Sequence, residues 1–208
     1  MKPAVGSIPF EFGSNVSMSS EVDIALGRLF QRYVDHCQRI NGTLPTQSHD
    51  PAWVSPCQVG EPDADGMIQW QPTKRSRSAD FGGLEHALEV EIHPDIKSFY
   101  GCYWADVMKL ETREGGLTLI QIWNEADFDR LVENILGHAM AKQRIKAPLT
   151  VFIATTDEGE HMLSVDNASG RVVLEEPGSL PAREVSPSLA QFLDRLSPVA
   201  PGEEARPR

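Results

Sequence analysis

The densest run of reactive side chains is IHPDIKSFYGCYWADVM, residues 92–108, where His93, Asp95, Cys102 and Asp106 share one stretch with Phe99, Tyr100, Tyr103, Trp104 and Met108. A thiol within hydrogen-bonding reach of an imidazole makes a nucleophile–base pair, and carboxylates beside them make an acid–base or metal site. The spacing argues against both. Pro94 suits a first helical turn and Asp95 matches its positive end. Ile96, Phe99, Tyr100, Tyr103, Trp104, Val107 and Met108 then recur at helical intervals, which predicts an amphipathic helix of three turns seated on the core. On such a helix His93 and Cys102 stand about 13 Å apart along the axis, too far for an ion pair. A Cys–His hydrolase survives only if a histidine from a distant segment meets Cys57 or Cys102.

Nothing else in the chain reads as catalytic machinery. It has no G-x-G-x-x-G, no Walker lysine loop, no H-E-x-x-H and no G-x-S-x-G. The six histidines, His36, His49, His86, His93, His138 and His161, lack metal-ligand spacing, so neither metal nor cofactor is expected. His138, near a predicted helix end, reads as a capping or core histidine. The stretch PDADG (62–66) begins like a calcium loop but lacks the third spaced acid and the closing Glu, and reads as a turn. Cys37 lies on a helical apolar stripe and reads as core.

Charge is more telling. A net charge of −11 and a pI near 5.0 repel phosphate backbones and anionic headgroups, disfavour nucleic acid as a partner, and favour basic partners. Two segments concentrate the excess. Residues 85–114 carry Glu85, Glu89, Glu91, Asp95, Asp106, Glu111 and Glu114 against Lys97, Lys109 and Arg113; residues 155–184 carry as many acids against Arg171 and Arg183. Three cysteines without C-x-x-C spacing, an N-terminus without an apolar signal core, and no run of about 20 apolar residues predict a soluble cytoplasmic protein that does not insert into a membrane.

The elements that must position these groups follow from periodicity. Residues 1–17 read as a flexible extension and 198–208 as a flexible tail, with one domain between. A helix capped by Ser19 or Ser20 runs to Asn41-Gly42 on a stripe from Val22 to Ile40. Residues 42–83 are irregular, with a strand-like island at 66–72 and a basic cluster, TKRSR (73–77), that reads as a solvated loop. Leu84–Ile92 fits a short helix or an alternating strand, and Pro94 favours a helical turn running into extended chain. A strand at 117–123 follows a Gly115-Gly116 turn. A helix capped by Asn124 then runs through EADFDRLVENILGHAMAKQR, with acids in its first turns and His138, Lys142 and Arg144 near its end. Strands at 149–156, 161–166 and 171–176 form a meander, and a last helix starts at Ser186-Pro187. The fold class is α+β: a single domain with a small, mainly antiparallel sheet flanked by about four helices.

Several of these blocks resemble the Syd family, the SecY-interacting proteins of Gram-negative bacteria. They are IQWQP (68–72), IHPDIKSFY (92–100), ADVM (105–108), LIQIWNEADFDRLVENILGH (119–138) and KAPLTVFIAT (146–155), with SPC at 55–57, and the resemblance spans roughly residues 18–197. It implies a non-enzymatic, monomeric protein, without cofactor, that docks peripherally on the cytoplasmic side of the inner membrane by binding SecY, checks SecY assembly or restrains the translocase, and shares its fold with Smi1/Knr4-like and toxin-immunity proteins. It also implies an acidic face for the basic SecY loops. The positions that match are Glu85, Glu89, Asp106, Glu125 and Asp127, with Glu91 and Asp95 as weaker members. Residues 1–17 precede the usual family start, so Met18 is either the true start or follows a lineage-specific extension. An immunity-type protein that neutralises a basic toxin would use the same acidic face.

Overall fold

A computed structural model describes residues 20–157 and 159–199; the expectations for residues 1–17, Met18 and Ser19, and for the tail from residue 200 onward, lie outside them. The first helix, α1 (Glu21–Asn41), opens with Ser20 Oγ accepting from the Asp23 N–H and closes at Gly42, whose φ of 73° is the left-handed conformation that glycine adopts without strain. Its buried stripe of Val22, Leu26, Leu29, Tyr33 and Cys37 faces the core, as the periodicity predicts.

Three short strands follow, β1 (Thr46–Ser48), β2 (Gln58–Val59) and β3 (Met67–Trp70), paired in the order β1-β3-β2. Next come β4 (Thr73–Lys74), α2 (Gly82–Leu88), α3 (Pro94–Gly101) and β5 (Tyr103–Trp104), with β4 and β5 pairing antiparallel. The rest of the chain is β6 (Met108–Thr112), β7 (Gly115–Leu119), α4 (Glu125–Arg144), β8 (Thr150–Thr156), β9 (Met162–Asp166), β10 (Val172–Glu175), β11 (Arg183–Ser186), α5 (Leu189–Asp194) and β12 (Ser197–Pro198). The main sheet has seven strands in the order β11-β10-β9-β8-β7-β6-β12, every neighbour antiparallel. Irregularities between Phe152 and Ala154 and between Val172 and Val173 shift its register, and such bulges bend a sheet. The α+β class and the antiparallel meander are as expected.

Three local expectations are corrected. The stretch 92–108 is not one helix: α3 stops at Gly101, Tyr103 and Trp104 pair with Lys74 and Thr73, and Met108 opens β6. Aromatic residues favour strands, and pairing with β4 overrides the coincidence of helical spacing. Val107, placed on the apolar stripe by that spacing, is exposed. The basic cluster 73–77 is only in part a solvated loop: Ser76 and Arg77 are exposed, but Thr73 and Lys74 form β4, Lys74 Nζ lies 2.9 Å from Asp23 Oδ2, and the Arg75 side chain is only 5% exposed. Finally, Gly115 and Gly116 open β7, while the turn is made by Arg113 and Glu114. The chain also adds two edge strands that carry no strong sequence signal, β11 and the two-residue β12, after which Val199 N–H donates to the Lys109 carbonyl.

The sheet is covered on both faces. On one, α5 packs on α1, clamped by Arg28 to Asp194 at 2.8 Å and by Arg32 Nη2 to the Leu193 carbonyl. On the other, α4 carries Lys142 into the core. Its ammonium meets Glu175 and the Ser179 carbonyl (2.7 Å), while Thr150 Oγ1 donates to the other Glu175 oxygen at 2.7 Å. Both charged side chains are essentially unexposed. Burial alone pushes the Glu175 carboxyl up, but His138, Lys142 and Thr150 outweigh it and hold it at about 2, below the usual 4.5. His138 is accordingly a core histidine, its Nε2 3.0 Å from Thr150 Oγ1.

Removing one partner leaves a buried, uncompensated charge, so Lys142→Ala lowers the unfolding free energy by about 3–5 kcal/mol in urea melts. The Glu175 contribution is fully present above its unfolded value and is lost as pH falls from 4.5 towards 2, so wild-type stability drops over that window and the drop is absent in Glu175→Gln.

Candidate functional site

The start of α4 is built by local hydrogen bonds. Asn124 Oδ1 accepts from the Asp127 N–H (2.9 Å), and Asp127 Oδ2 accepts from the Trp123 N–H (2.9 Å), a reciprocal cap of the kind that fixes a helix entry. The loop 50–57 is pinned to the same turn. Trp123 Nε1 donates to the Trp53 carbonyl (2.7 Å), Ser55 Oγ to the Trp123 carbonyl, and Asn124 Nδ2 to the Val54 carbonyl (3.1 Å). Between loop and helix lies a cleft of about 490 Å³ lined by Pro51, Trp53, Pro56, Trp104 and Glu125.

Asp106 lies in the link between β5 and β6, its Oδ1 accepting from the Val107 N–H at 2.8 Å. Burial pushes its carboxyl up to about 6 from 3.8, against that hydrogen bond and with the neighbouring Asp127 charge adding to the rise. The structure therefore brings Asp106 and Asp127 within electrostatic reach of each other, with Glu125 two residues from Asp127 on the same helix. Exposed apolar side chains accompany these acids: Val107 directly follows Asp106, and Val54 belongs to the pinned loop.

Glu125 is 73% exposed, but it is not a bare charge. Both of its oxygens lie 3.1 Å from Arg75 Nη2, and the Arg75 guanidinium sits 3.7 Å from the centre of the Trp104 ring and 5.7 Å from that of Phe128. Such stacking over an aromatic face is favourable for a guanidinium.

The other predicted acids form a second group around α2 and α3. Glu85 Oε1 accepts from the Ile92 N–H (2.8 Å) and from Lys97 Nζ (2.6 Å), and the Lys97 bond, aided by Ile92, holds its carboxyl below the usual range. Its charge fastens the linker between the two helices. Glu89 caps α2 in the left-handed region (φ 53°) and is exposed. Glu91 is 85% exposed, 3.9 Å from Lys97. Asp95 is half-buried in the first turn of α3, where its N–H donates to His93 Nδ1 at 3.2 Å. His93 is thus a helix cap, and Asn167 fastens the same linker: it accepts from the His93 N–H and donates to the Glu91 carbonyl, both at 2.9 Å.

The reactive-looking residues assemble no catalytic group. The Cys57 thiol bonds Ser55 and burial pushes it up to about 12, so it stays protonated; Cys102 is likewise raised by burial. Among the described residues no hydrogen bond joins either cysteine to a histidine, and no group of three or more His, Cys, Asp and Glu could hold a metal ion. Nor, among them, is any helix long and apolar enough to cross a membrane. Sequence reasoning found the acids but missed Arg75, Trp53 and the pinned loop. The cap was legible in the N-x-x-D spacing of Asn124 and Asp127; the Arg75 contacts, 50 residues away along the chain, were not.

Because folding raises the Asp106 value, its ionisation costs stability as pH rises from 3.8 through about 6. Asp106→Asn keeps an acceptor for the Val107 N–H and removes that cost. The variant is expected to unfold at higher urea than wild type at about pH 7.5, with the gain vanishing near pH 4.

Comparison with known proteins agrees with this picture along nearly the whole described chain. A family model described as Syd protein (SUKH-2) matches residues 23–198. Protein Syd of Pseudoalteromonas atlantica (strain T6c) is 39% identical over 185 residues, covering 88% of this chain and 97% of that protein. Protein Syd of Shewanella sp. (strain MR-7) is 44% identical and that of Shewanella sp. (strain ANA-3) 49% identical, each over 180 residues, covering 85% of this chain and 83% of the relative. With the family pattern spanning everything from α1 to β12, and the acids of the α4 start lying within it, the chain belongs to the Syd family.

Proposed function

We propose that this protein acts by binding rather than catalysis, and that its target is the basic cytoplasmic surface of SecY at the inner membrane, where it checks SecY assembly or restrains the translocase. The observation that carries the reading is the carboxylate group at the start of α4, set beside exposed apolar side chains in a member of the Syd family. Asp106 and Glu125 supply charge near the apolar cleft, with Asp127 holding the helix start behind them, and Glu89, Glu91 and Asp95 supply a second acidic group along the α2–α3 linker. Glu85 contributes through the linker it fastens rather than as an open charge. Cytoplasmic loops of a membrane protein carry an excess of Lys and Arg, so the complementarity runs in the right direction. A protein of this kind works as a monomer held peripherally by its partner, without cofactor and without inserting into lipid.

Acidic–basic docking governs association rate and selectivity and weakens as salt rises. Co-purification of SecY from detergent-solubilised membranes is expected to fall steadily between about 0.1 and 0.5 M salt. The exposed pair Glu89→Lys and Glu91→Lys, which removes no side-chain hydrogen bond to the backbone, is expected to cut SecY recovery about tenfold. Salt-independent recovery, or full recovery with the reversed charges, overturns the electrostatic docking. Capture of a basic toxin in place of SecY would instead establish an immunity role for the same face.

A further inference from the structure

A second cavity lies away from the acidic face and is not used by the docking described above. It holds about 620 Å³ and opens at the far end of β6, beyond Thr112, whereas Asp106 precedes the near end of that strand. Five strand residues separate the two, roughly 17 Å at 3.4 Å per residue.

Sheet register explains the cavity. Directly paired residues share a face, so Leu163, Leu174 and Arg183 line up across β9, β10 and β11, with Leu117 opposite Thr156 on β7 and β8. The short helix α5 covers this face only in part. Phe192 forms the inner wall, and Leu117, Leu163, Leu174 and Val185 remain as an apolar floor. The mouth gathers more cations than most of a chain with net charge −11. Arg113, Arg183 and Arg195 surround it, with His161 alongside. Glu114 reaches across from the β6–β7 turn to pair with Arg183, so hairpin and edge strand brace the opening. Glu176 lies 3.7 Å from His161, Asp157 sits against Gly116, and Arg195 gives one Nη2 donor to the Val185 carbonyl. Those three acids balance the three guanidiniums in formal charge, but among the described residues only Arg183 of the three is ion-paired, so Arg113 and Arg195 are the cations open to an anion.

An apolar floor of this size with a few charged groups at its entrance is the ordinary form of a small-molecule site. A charged rim over an apolar floor selects an amphiphile, and guanidiniums select an anionic head. We propose that the cavity binds a single-chain amphiphile with a carboxylate or phosphate head. The chain lies on Leu163 and Leu174, and the head meets Arg113 and Arg195. The proposal does not depend on SecY binding and stands or falls separately from it.

The full-length protein is titrated calorimetrically with dodecanoate, dodecyl phosphate and dodecanol, each below its aggregation threshold, and amide shifts locate the ligand. Dodecanoate or dodecyl phosphate is expected to bind about tenfold more tightly than dodecanol, the worth of one charge-assisted hydrogen bond. The shifts are expected at Gly115, Gly116 and the β9–β10 strands. Arg195→Gln, at an exposed position that leaves the core untouched, is expected to weaken anion binding about tenfold and leave dodecanol unchanged. Leu174→Trp fills the floor and is expected to abolish binding of all three. The proposal is overturned if neither anion binds, if dodecanol binds as tightly, if the shifts fall elsewhere, or if Arg195→Gln leaves the anions unaffected.

Discussion

The position of α4 governs the molecule, and that position is fixed by a cation in the core. Lys142 can stay charged in a site that excludes water only because Glu175, Thr150 and the Ser179 carbonyl receive it. A hydrophobic residue would tolerate a small slide or roll of the helix along the sheet; an ammonium held by directed bonds does not. With its last turns anchored there, the first turn of α4 presents Asn124 and Asp127 at a defined place, and the loop 50–57 closes on it through Trp123. The acidic face is therefore the free end of a lever pinned at the other.

The division between charges that fasten and charges that face outward is the second organising fact. Glu85 and Asp127 stand in the sequence as members of one acidic row with Glu89, Glu91 and Glu125, yet they make bonds that hold the backbone itself. A carboxylate that accepts a backbone N–H in the interior of a linker or a helix start is costly to remove and little available to a partner. Glu89 and Glu91 carry no such duty through their side chains and stay exposed.

Much of the fold was legible in sequence, for stated reasons. The caps at Ser20 and Asn124, the Gly42 stop, the stripes of α1 and α4 and the β8–β9–β10 meander are local patterns, and each of them formed. The misreading of residues 92–108 shows where locality fails. Helical spacing there is real for Ile96, Phe99 and Tyr100, but it continues through Tyr103 and Trp104 only by coincidence, because β4, 30 residues upstream, offers those aromatics a ladder. The same non-local pairing turned Arg75 of the basic cluster inward. Nothing adjacent to Arg75 announces that Trp104 and Glu125 will receive it. The acids themselves were visible, but which were open and which were committed depended on tertiary hydrogen bonds that no spacing records.

The proton that Asp106 keeps for a minor part of the time near neutrality has a consequence for how its surface would exchange ions. A carboxyl that titrates at about 6 beside Asp127 already holds a proton for part of the time in place of a metal ion or an ammonium. Any cationic side chain brought to that spot competes with the proton and, in settling there, expels it. Association of a cationic partner at the start of α4 would then be partly a substitution of one positive charge for another. Its calorimetric heat would vary with the ionisation enthalpy of the buffer that takes up the released proton.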